Sequence, residues 1–133
     1  MKKNNKGFTL MEMLIVVAII AILIAIMIPT FNAQLEKARE ATDAANIRAA
    51  YAEAMVAYIS DEFATAGYTS EKMVQTTAGW AHVTLPDYIQ ELLPDGAEND
   101  WDDIVKDYTV TFTIDSTEGS ATKGEIIATI NAA

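Results

Sequence analysis

Glu12 is the first residue whose chemistry calls for an explanation, because it lies inside a long apolar stretch. The 21 residues from Phe8 to Ile28 contain only two polar side chains, those of Thr9 and Glu12. A carboxylate within a membrane span is costly, so an ionisable residue there marks a functional site with a partner to be named. A positive charge in the same apolar surroundings would be attracted to it far more strongly than in water.

The stretch that carries Glu12 is predicted to be a transmembrane helix. At 1.5 Å per residue it is about 31 Å long, which matches the hydrocarbon core of a bilayer, about 30 Å thick. It is longer than the apolar region of a cleaved secretory signal, so we expect it to be retained. Because Lys2, Lys3 and Lys6 precede it, the positive-inside rule places the N-terminus in the cytoplasm and residues 30–133 outside.

The residues around Glu12 resemble the N-terminus of type IV prepilins and pseudopilins. The resemblance is carried by Lys6-Gly7-Phe8-Thr9-Leu10-Met11-Glu12, by the apolar run behind it and by Pro29. It implies that a prepilin peptidase cuts between Gly7 and Phe8 and methylates the new amine of Phe8. It also implies that Glu12 pairs with the Phe8 amine of a neighbouring subunit during assembly.

A pair of this kind would select one axial register between subunits. Buried ion pairs are best attested as devices for register, because an unpaired buried charge is penalised. The alternative is that Glu12 only lies in the headgroup layer. Pro29 is the third residue assigned to assembly: it lacks an N–H and crowds the carbonyl of Ala25, so local melting of the helix is expected near it.

The predicted fold class is α+β, with a long N-terminal helix packed against a small antiparallel sheet, as in pilins. The helix is expected to have a transmembrane half and an amphipathic half. The predicted segments are a leader (1–7), a transmembrane assembly helix (8–29) and an external head domain (30–133), which contains a helix (30–66), a connecting region (67–107) and a β-hairpin (108–131).

The helix of the head domain is expected to pack an apolar stripe against the hairpin and to stop at Gly67. The charged residues Glu36, Glu40 and Asp43 are placed mostly away from this stripe. The stripe comprises Phe31, Leu35, Ala38, Ala45, Ala49, Ala52, Val56, Ile59 and Phe63.

Two segments near the C-terminus alternate between apolar and polar residues, which is typical of strands with one buried face. The first strand is predicted at 108–114 and the second at 125–131. Before them we expect a short strand at 79–85 and one or two turns of helix at 86–93. The inward residues are predicted to be Val110, Phe112, Ile114, Ile126, Ala128 and Ile130.

The charge balance argues against nucleic acid as a partner. The chain of 133 residues has 9 basic and 19 acidic residues and a net charge of −10, whereas binding nucleic acid requires Lys and Arg to neutralise phosphates. A negative surface suits a hydrated fibre exterior. The sequence contains no cysteine, so the external domain must be held by its core alone.

Candidate sites for catalysis or metal binding are weak. The acidic run 98–103 offers oxygen ligands of the kind that Ca²⁺ takes, but it lacks the spacing of an EF-hand loop, and a solvated acidic loop is favoured. His82, the one histidine, is interpreted as a partly buried residue on a strand. We therefore predict no catalytic, cofactor-binding or metal-binding residues, no cofactor and no enzymatic activity.

The resemblance implies a structural subunit that polymerises with copies of itself into a helical cell-surface filament, for adhesion, motility or DNA uptake. Its implied partners are the prepilin peptidase, the membrane before assembly, and an inner-membrane assembly platform with a cytoplasmic ATPase. The alternatives are a pseudopilin of a type II secretion or competence system, a membrane-tethered extracytoplasmic binding module that never polymerises, and an extracellular enzyme.

Overall fold

The computed structural model describes residues 7–64, 66–92, 105–116, 118–121 and 123–132. Its elements, in chain order, are helix α1 (Leu10–Ile59), strand β1 (Tyr68–Thr69), helix α2 (Asp87–Gln90), strand β2 (Thr109–Ile114) and strand β3 (Ile126–Asn131). The predicted α+β class, a long helix with a small antiparallel sheet, is confirmed. The chain divides into two compact units, Met1–Leu35 and Glu36–Ala133, and each is described by itself.

The first unit consists of the apolar part of α1. Its described residues, 7–35, are all exposed, including large side chains such as Ile26 (64% exposed). At this end α1 is long and apolar enough to cross a membrane. The helix passes through Pro29 without a break, although this proline cannot donate to the carbonyl four residues before it.

The second unit contains an antiparallel sheet, which among the described residues has three strands in the order β1-β2-β3. In the hairpin of β2 and β3, Val110 faces Ile130 and Phe112 faces Ala128. All four side chains are buried, so the predicted hairpin and its inward face are confirmed at these positions. Ile114 is half-buried. The short strand β1 pairs Tyr68 with Phe112 on the other side of β2.

The sheet packs against one face of the second half of α1. The helix offers mainly alanine to this contact, and small side chains let the sheet approach the helix axis closely. Met73, Leu85 and Ile89, from the segment before β2, close the remaining side of the core. The buried core residues are Ala44, Ile47, Ala50, Ala54, Met73, Leu85, Ile89, Val110, Phe112, Ile126, Ala128 and Ile130.

The prediction of the apolar stripe was wrong, because the sheet covers a different face of α1. Ala45, Ala49 and Ala52 are exposed, as are Val56 and Ile59. The covered face instead includes Glu36, Glu40 and Asp43, which we predicted to lie mostly away from the stripe. Alanine occurs on every side of this helix, so apolar periodicity did not identify the buried face. The residues of α1 that are buried are Glu36, Glu40, Asp43, Ala44, Ile47, Ala50, Ala54 and Ala57.

The C-terminus of α1 also differs from the prediction, because the helix ends at Ile59 and not near Gly67. Asp61 has φ 58°, the left-handed conformation that terminates many helices. The N–H of Glu62 donates to the carbonyl of Ala57 at 3.0 Å, and the N–H of Asp61 donates to that of Tyr58 at 3.4 Å. These two bonds define a Schellman motif, formed here with aspartate in place of the usual glycine.

Gly67 has a different role, because the chain passes over β2 at this residue. Its φ is +75°, and a Cβ there would lie 2.6 Å from both the Phe112 carbonyl oxygen and the Thr113 Cγ2. Only glycine permits this close approach, which brings Tyr68 into register with β2.

Of the two elements predicted in the connecting region, a strand and a short helix, only the helix forms in the described structure. The strand expected at 79–85 is absent from the described structure, where the segment is irregular. The helical turn expected after Pro86 forms as α2, and the Pro86 carbonyl accepts a bond from the N–H of Ile89 at 2.9 Å. Within the described part of the chain, the two-residue strand β1 is the regular element that the sequence did not predict.

The contact at Gly67 generates a prediction. Gly67→Ala should lower the free energy of unfolding by about 1 to 2 kcal/mol for the left-handed backbone and by about 1 to 3 kcal/mol more for the steric clash. Gly119→Ala is the matched control, since Gly119 also has positive φ but open space around its Cβ position. Urea unfolding of the detergent-solubilised chain measures the stability of both variants. Equal losses of stability in the two variants would contradict the steric contact assigned to Gly67.

Candidate assembly site and a buried carboxylate cluster

The predicted cleavage site lies in exposed, non-helical chain just before α1. Gly7 and Phe8 have no regular structure, and the Phe8 side chain is 82% exposed. Apart from its two chain neighbours, no atom of the described residues lies within 4 Å of where a Cβ of Gly7 would be. A peptidase needs its target peptide bond outside a helix, because the enzyme must reach the backbone groups that a helix would use internally. The geometry of this junction therefore suits processing.

Glu12 forms a local structure at the start of α1. The backbone N–H of Thr9 donates to Glu12 Oε2 at 2.7 Å, and the Thr9 hydroxyl is 3.0 Å from the same oxygen. The N–H of Glu12 donates in turn to the Thr9 hydroxyl at 3.2 Å. This reciprocal arrangement is a capping box, which satisfies two backbone donors that helix geometry leaves without partners.

The capping box was missed in the sequence, although its signal was present. Thr9-Leu10-Met11-Glu12 fits the pattern of Ser or Thr followed three residues later by Glu, ahead of an apolar run. Glu12 therefore has a partner within its own chain. Both of these bonds use Oε2, and no bond from another described residue to Oε1 is present, so capping and a contact with a neighbouring subunit are compatible.

Pro29 leaves one carbonyl of α1, that of Ala25, without its usual helical donor. The Thr30 hydroxyl lies 3.4 Å from the carbonyl oxygen of Ile26, so this contact serves the next carbonyl along the helix and not that of Ala25. The expected weak point of the helix is thus a single missing bond within continuous helix.

A second site, in the other unit, brings together three carboxylates of α1. Glu36, Glu40 and Asp43 are 9%, 1% and 0% exposed. Their spacing of four and three residues places them on one face of the helix. Each carboxylate accepts hydrogen bonds from two consecutive backbone N–H groups of the segment 74–83, which we call the clamped segment.

Glu36 makes the most extensive of these contacts. Its Oε1 accepts from the N–H groups of Thr76 at 2.5 Å and Thr77 at 2.7 Å. Its Oε2 accepts from the Thr76 hydroxyl at 2.8 Å and from Arg39 Nη1 at 3.1 Å. All the donors that this carboxylate uses belong to the clamped segment or to the next turn of α1.

Asp43 and Glu40 bind the two ends of the clamped segment. Asp43 accepts from the N–H of Val74 at 2.9 Å through Oδ1 and from that of Gln75 at 2.8 Å through Oδ2. Glu40 Oε2 accepts from the N–H groups of His82 at 2.7 Å and Val83 at 3.1 Å. Its Oε1 is 2.8 Å from His82 Nδ1, so the histidine expected on a strand lies in a bend and contacts a buried carboxylate.

The three carboxylates differ in their acidity. Burial opposes ionisation of Glu36, but the hydrogen bonds from Thr77, Thr76 and Arg39 outweigh it and lower its pKa to about 2. Burial likewise opposes ionisation of Glu40, and its bonds to His82 and Val83 still lower its pKa. For Asp43 burial dominates and raises the pKa, and the neighbouring charges of Glu36 and Glu40 raise it further.

The carboxylates of this cluster bind backbone N–H groups. A groove of about 550 Å³ lies elsewhere on this unit and is lined by Ala52, Glu53, Val56, Ala57, Ser60, Glu62 and Tyr68. Among the described residues, no group of three or more His, Asp or Glu side chains is placed so that it could hold a metal ion. The acidic run at 98–103, considered for Ca²⁺, lies outside the described residues.

Comparison with known proteins finds similarity in the N-terminal segment. Residues 2–28 match the family model of the prokaryotic N-terminal methylation motif. A segment of 38 residues is 55% identical to the type IV wide pilus major component PilA4 of Thermus thermophilus, and it covers 29% of this chain and 29% of that protein. No solved structure matches the chain significantly. The predicted resemblance to type IV pilins is confirmed for this segment.

The carboxylate cluster generates a pH prediction. Glu36→Gln should lower the free energy of unfolding at pH 7 by about 2 kcal/mol, because bonds to a charged acceptor are worth roughly 1.5 to 3 kcal/mol. A carboxylate with a lowered pKa stabilises the fold above its ordinary pKa of 4.5 and loses that contribution as the pH falls toward about 2. The difference between the variant and the wild type should therefore shrink over this range.

Urea unfolding at several pH values measures this difference. Glu71→Gln makes the same chemical change at an exposed position and should be close to neutral throughout. A penalty for Glu36→Gln that stays constant down to about pH 2 would contradict the role given to the ionised carboxylate.

Proposed function

We propose that this protein is a structural subunit of a type IV pilus. The observation that carries the proposal is the prepilin-type motif at residues 2–28, followed directly by an apolar helix segment whose side chains are all exposed. A fully exposed apolar helix is unstable in water. It must lie either in lipid or against other protein, and a subunit that moves from membrane to filament uses both environments in turn.

Processing supplies the charge that assembly requires. Cutting between Gly7 and Phe8 hydrolyses one peptide bond, and the carboxylate stays with the leader while an ammonium forms at Phe8. That ammonium is four residues from Glu12 in its own chain, and in a bundle it can reach Glu12 of a neighbour. The Phe8–Glu12 pair would be favoured in an apolar bundle, and the unbonded Oε1 of Glu12 supports this role.

The rest of the chain would form the exterior of the fibre. Residues 30–133 face outward from the cytoplasmic membrane in the precursor, with the N-terminus inside, and coat the filament after assembly. The peptidase, an assembly platform and its cytoplasmic ATPase are the partners that this route requires. Adhesion, motility or DNA uptake would follow from the filament. A pseudopilin would follow the same route but would form only a short fibre below the cell surface.

The mass of the N-terminus tests the processing step. Protein recovered from the cell surface should begin at N-methylated Phe8, because cleavage and methylation are two steps of the same proposed maturation. Tryptic digestion and mass spectrometry identify this peptide, and Gly7→Leu should leave the chain uncut in the membrane. A surface protein that begins at Met1 would exclude the proposal in favour of a membrane-tethered module.

Substitution of Glu12 tests the assembly step. Glu12→Leu should reduce sheared surface filaments at least about 10-fold while membrane insertion is retained, because the proposed charge pair and the capping bonds to Thr9 are lost while the span stays apolar. Thr9→Val is the matched control: it removes the hydroxyl from the capping box but keeps the carboxylate, and filaments should persist. Abundant filaments in Glu12→Leu cells would contradict the pairing mechanism. The length of the wild-type filaments distinguishes a pilus from a pseudopilus.

A further inference from the structure

A groove runs along the seam between α1 and β1 in the second unit. Its larger part is the groove of about 550 Å³ described above, and a smaller recess of about 180 Å³ meets it at Glu53, which lines both. On the helix side the two extend from Asn46 to Ser60, about 21 Å of helix length. Tyr68 and Thr69 of β1 line the opposite side. We call the whole the α1–β1 groove.

The larger part of the α1–β1 groove is apolar at its base. Ala52, Val56 and Ala57 line it there, and Val56 is 68% exposed. Tyr68 forms one side, and its ring packs edge-on against the ring of Phe63 with the centroids 5.1 Å apart. The groove therefore offers apolar surface, with one side held in place by a second aromatic ring, on which a ligand can bury aliphatic groups.

The charged residues that line the α1–β1 groove are all acidic. Glu53 and Glu62 line the larger part, and Glu71 lines the recess. All three are exposed, and within the described part of the chain none of their carboxylates has an ion-pair or hydrogen-bond partner. The last turn of α1, at one end of the groove, contains no basic residue. Because the C-terminus of a helix also attracts positive charge, the groove favours a cationic ligand.

The strand beside this groove has an open edge. Among the described residues β1 is an outer strand of the sheet. The N–H of Ser70 donates to the Val110 carbonyl at 2.8 Å, so the bonding groups of residue 70 face β2. Because bonding directions alternate along an antiparallel strand, the N–H and the carbonyl of Thr69 face away from β2. An edge of this kind can pair with a strand from another chain.

We propose that the α1–β1 groove binds an extended segment of another protein that carries Lys or Arg at alternate positions. The segment adds to the sheet beside β1 through the backbone groups of Thr69, which is a known mode of peptide recognition. Its basic side chains point toward α1, since alternate residues of a strand face the same side. Their aliphatic stems cover Ala52 and Val56, and their charged ends reach Glu53 and Glu62.

The size of the α1–β1 groove fits a short segment. At about 3.3 Å per residue, a length of about 21 Å accommodates about six residues of extended chain. Such a segment places three side chains on the groove side, which matches the three carboxylates of the lining. An acidic segment would be repelled by the same carboxylates, and a helical segment could not use the edge of β1.

A synthetic peptide tests the binding on the full-length chain in nonionic detergent. The probe is a fluorescent hexapeptide of alternating lysine and valine, and fluorescence anisotropy at low ionic strength should show saturable binding. A hexapeptide of alternating glutamate and valine should not bind. Spermidine carries three positive charges but no peptide backbone, so it should bind at least about 10-fold more weakly than the lysine peptide.

Paired substitutions locate the bound peptide. The double variant Glu53→Gln and Glu62→Gln should weaken binding at least about 5-fold, since each exposed charge pair contributes modestly. The matched control is Glu91→Gln with Glu118→Gln, which removes the same charge elsewhere. Glu118 is 95% exposed in the loop between β2 and β3, and Glu91 precedes Leu92, whose carbonyl accepts from the opposite edge strand β3.

The control variant should change the affinity less than about 2-fold, because charges distant from the peptide are screened. Circular dichroism of each full-length variant in detergent should match the wild type, so that a loss of affinity reports binding and not unfolding. Equal losses in the two double variants, or spermidine binding as tightly as the lysine peptide, would overturn the groove as the binding site.

Hydrogen exchange tests the pairing with β1. With the peptide at saturation, exchange of the Thr69 amide should slow at least about 5-fold. A lysine–valine peptide with N-methylated valines keeps its charge but lacks those donors, and it should bind at least about 5-fold more weakly. An unchanged exchange rate at Thr69, or equal affinity of the methylated peptide, would overturn the strand addition. Both measurements use solubilised chain, so their outcome is independent of filament formation.

Discussion

The structure depends on the hydrogen bonds between three buried carboxylates and the backbone of the clamped segment. Buried N–H groups need acceptors, and an irregular segment such as 74–83 cannot supply them to itself. Glu36, Glu40 and Asp43 provide those acceptors from one face of α1. The same bonds hold Met73 and Leu85 beside the sheet, so a polar contact positions part of the apolar core.

Burial of the three carboxylates also determines which side chains of α1 remain exposed. A helix that buries Glu36, Glu40 and Asp43 against its own domain exposes Lys37 and Arg48 together with alanines such as Ala45 and Ala49. The fold and the outward surface of the helix are therefore set by the same three side chains. Burial of Asp43 between two other carboxylates raises its pKa, which shows that the arrangement carries an electrostatic cost as well as a gain.

At the N-terminus a single carboxylate, that of Glu12, also accepts a hydrogen bond from a backbone N–H group. Glu12 would be expensive in lipid without a partner, and the capping box with Thr9 gives it donors that the helix start leaves unused. Because these bonds occupy one carboxylate oxygen, the second oxygen can serve a neighbouring subunit. In the proposed assembly, Glu12 would be capped by Thr9 in the precursor and would set the register between subunits in the filament.

The sequence by itself determined the N-terminal motif, the apolar helix that follows it, and the β2–β3 hairpin, because each is a local pattern of spacing or alternation. It did not determine which face of α1 is covered, since Ala44 and Ala45 or Ala49 and Ala50 are equally apolar. It also misplaced Gly67, whose role depends on the backbone of β2. Those features were decided by tertiary structure: the amides of residues 74–77 and 82–83 lie far from Glu36, Glu40 and Asp43 in sequence, and only the folded chain brings them together.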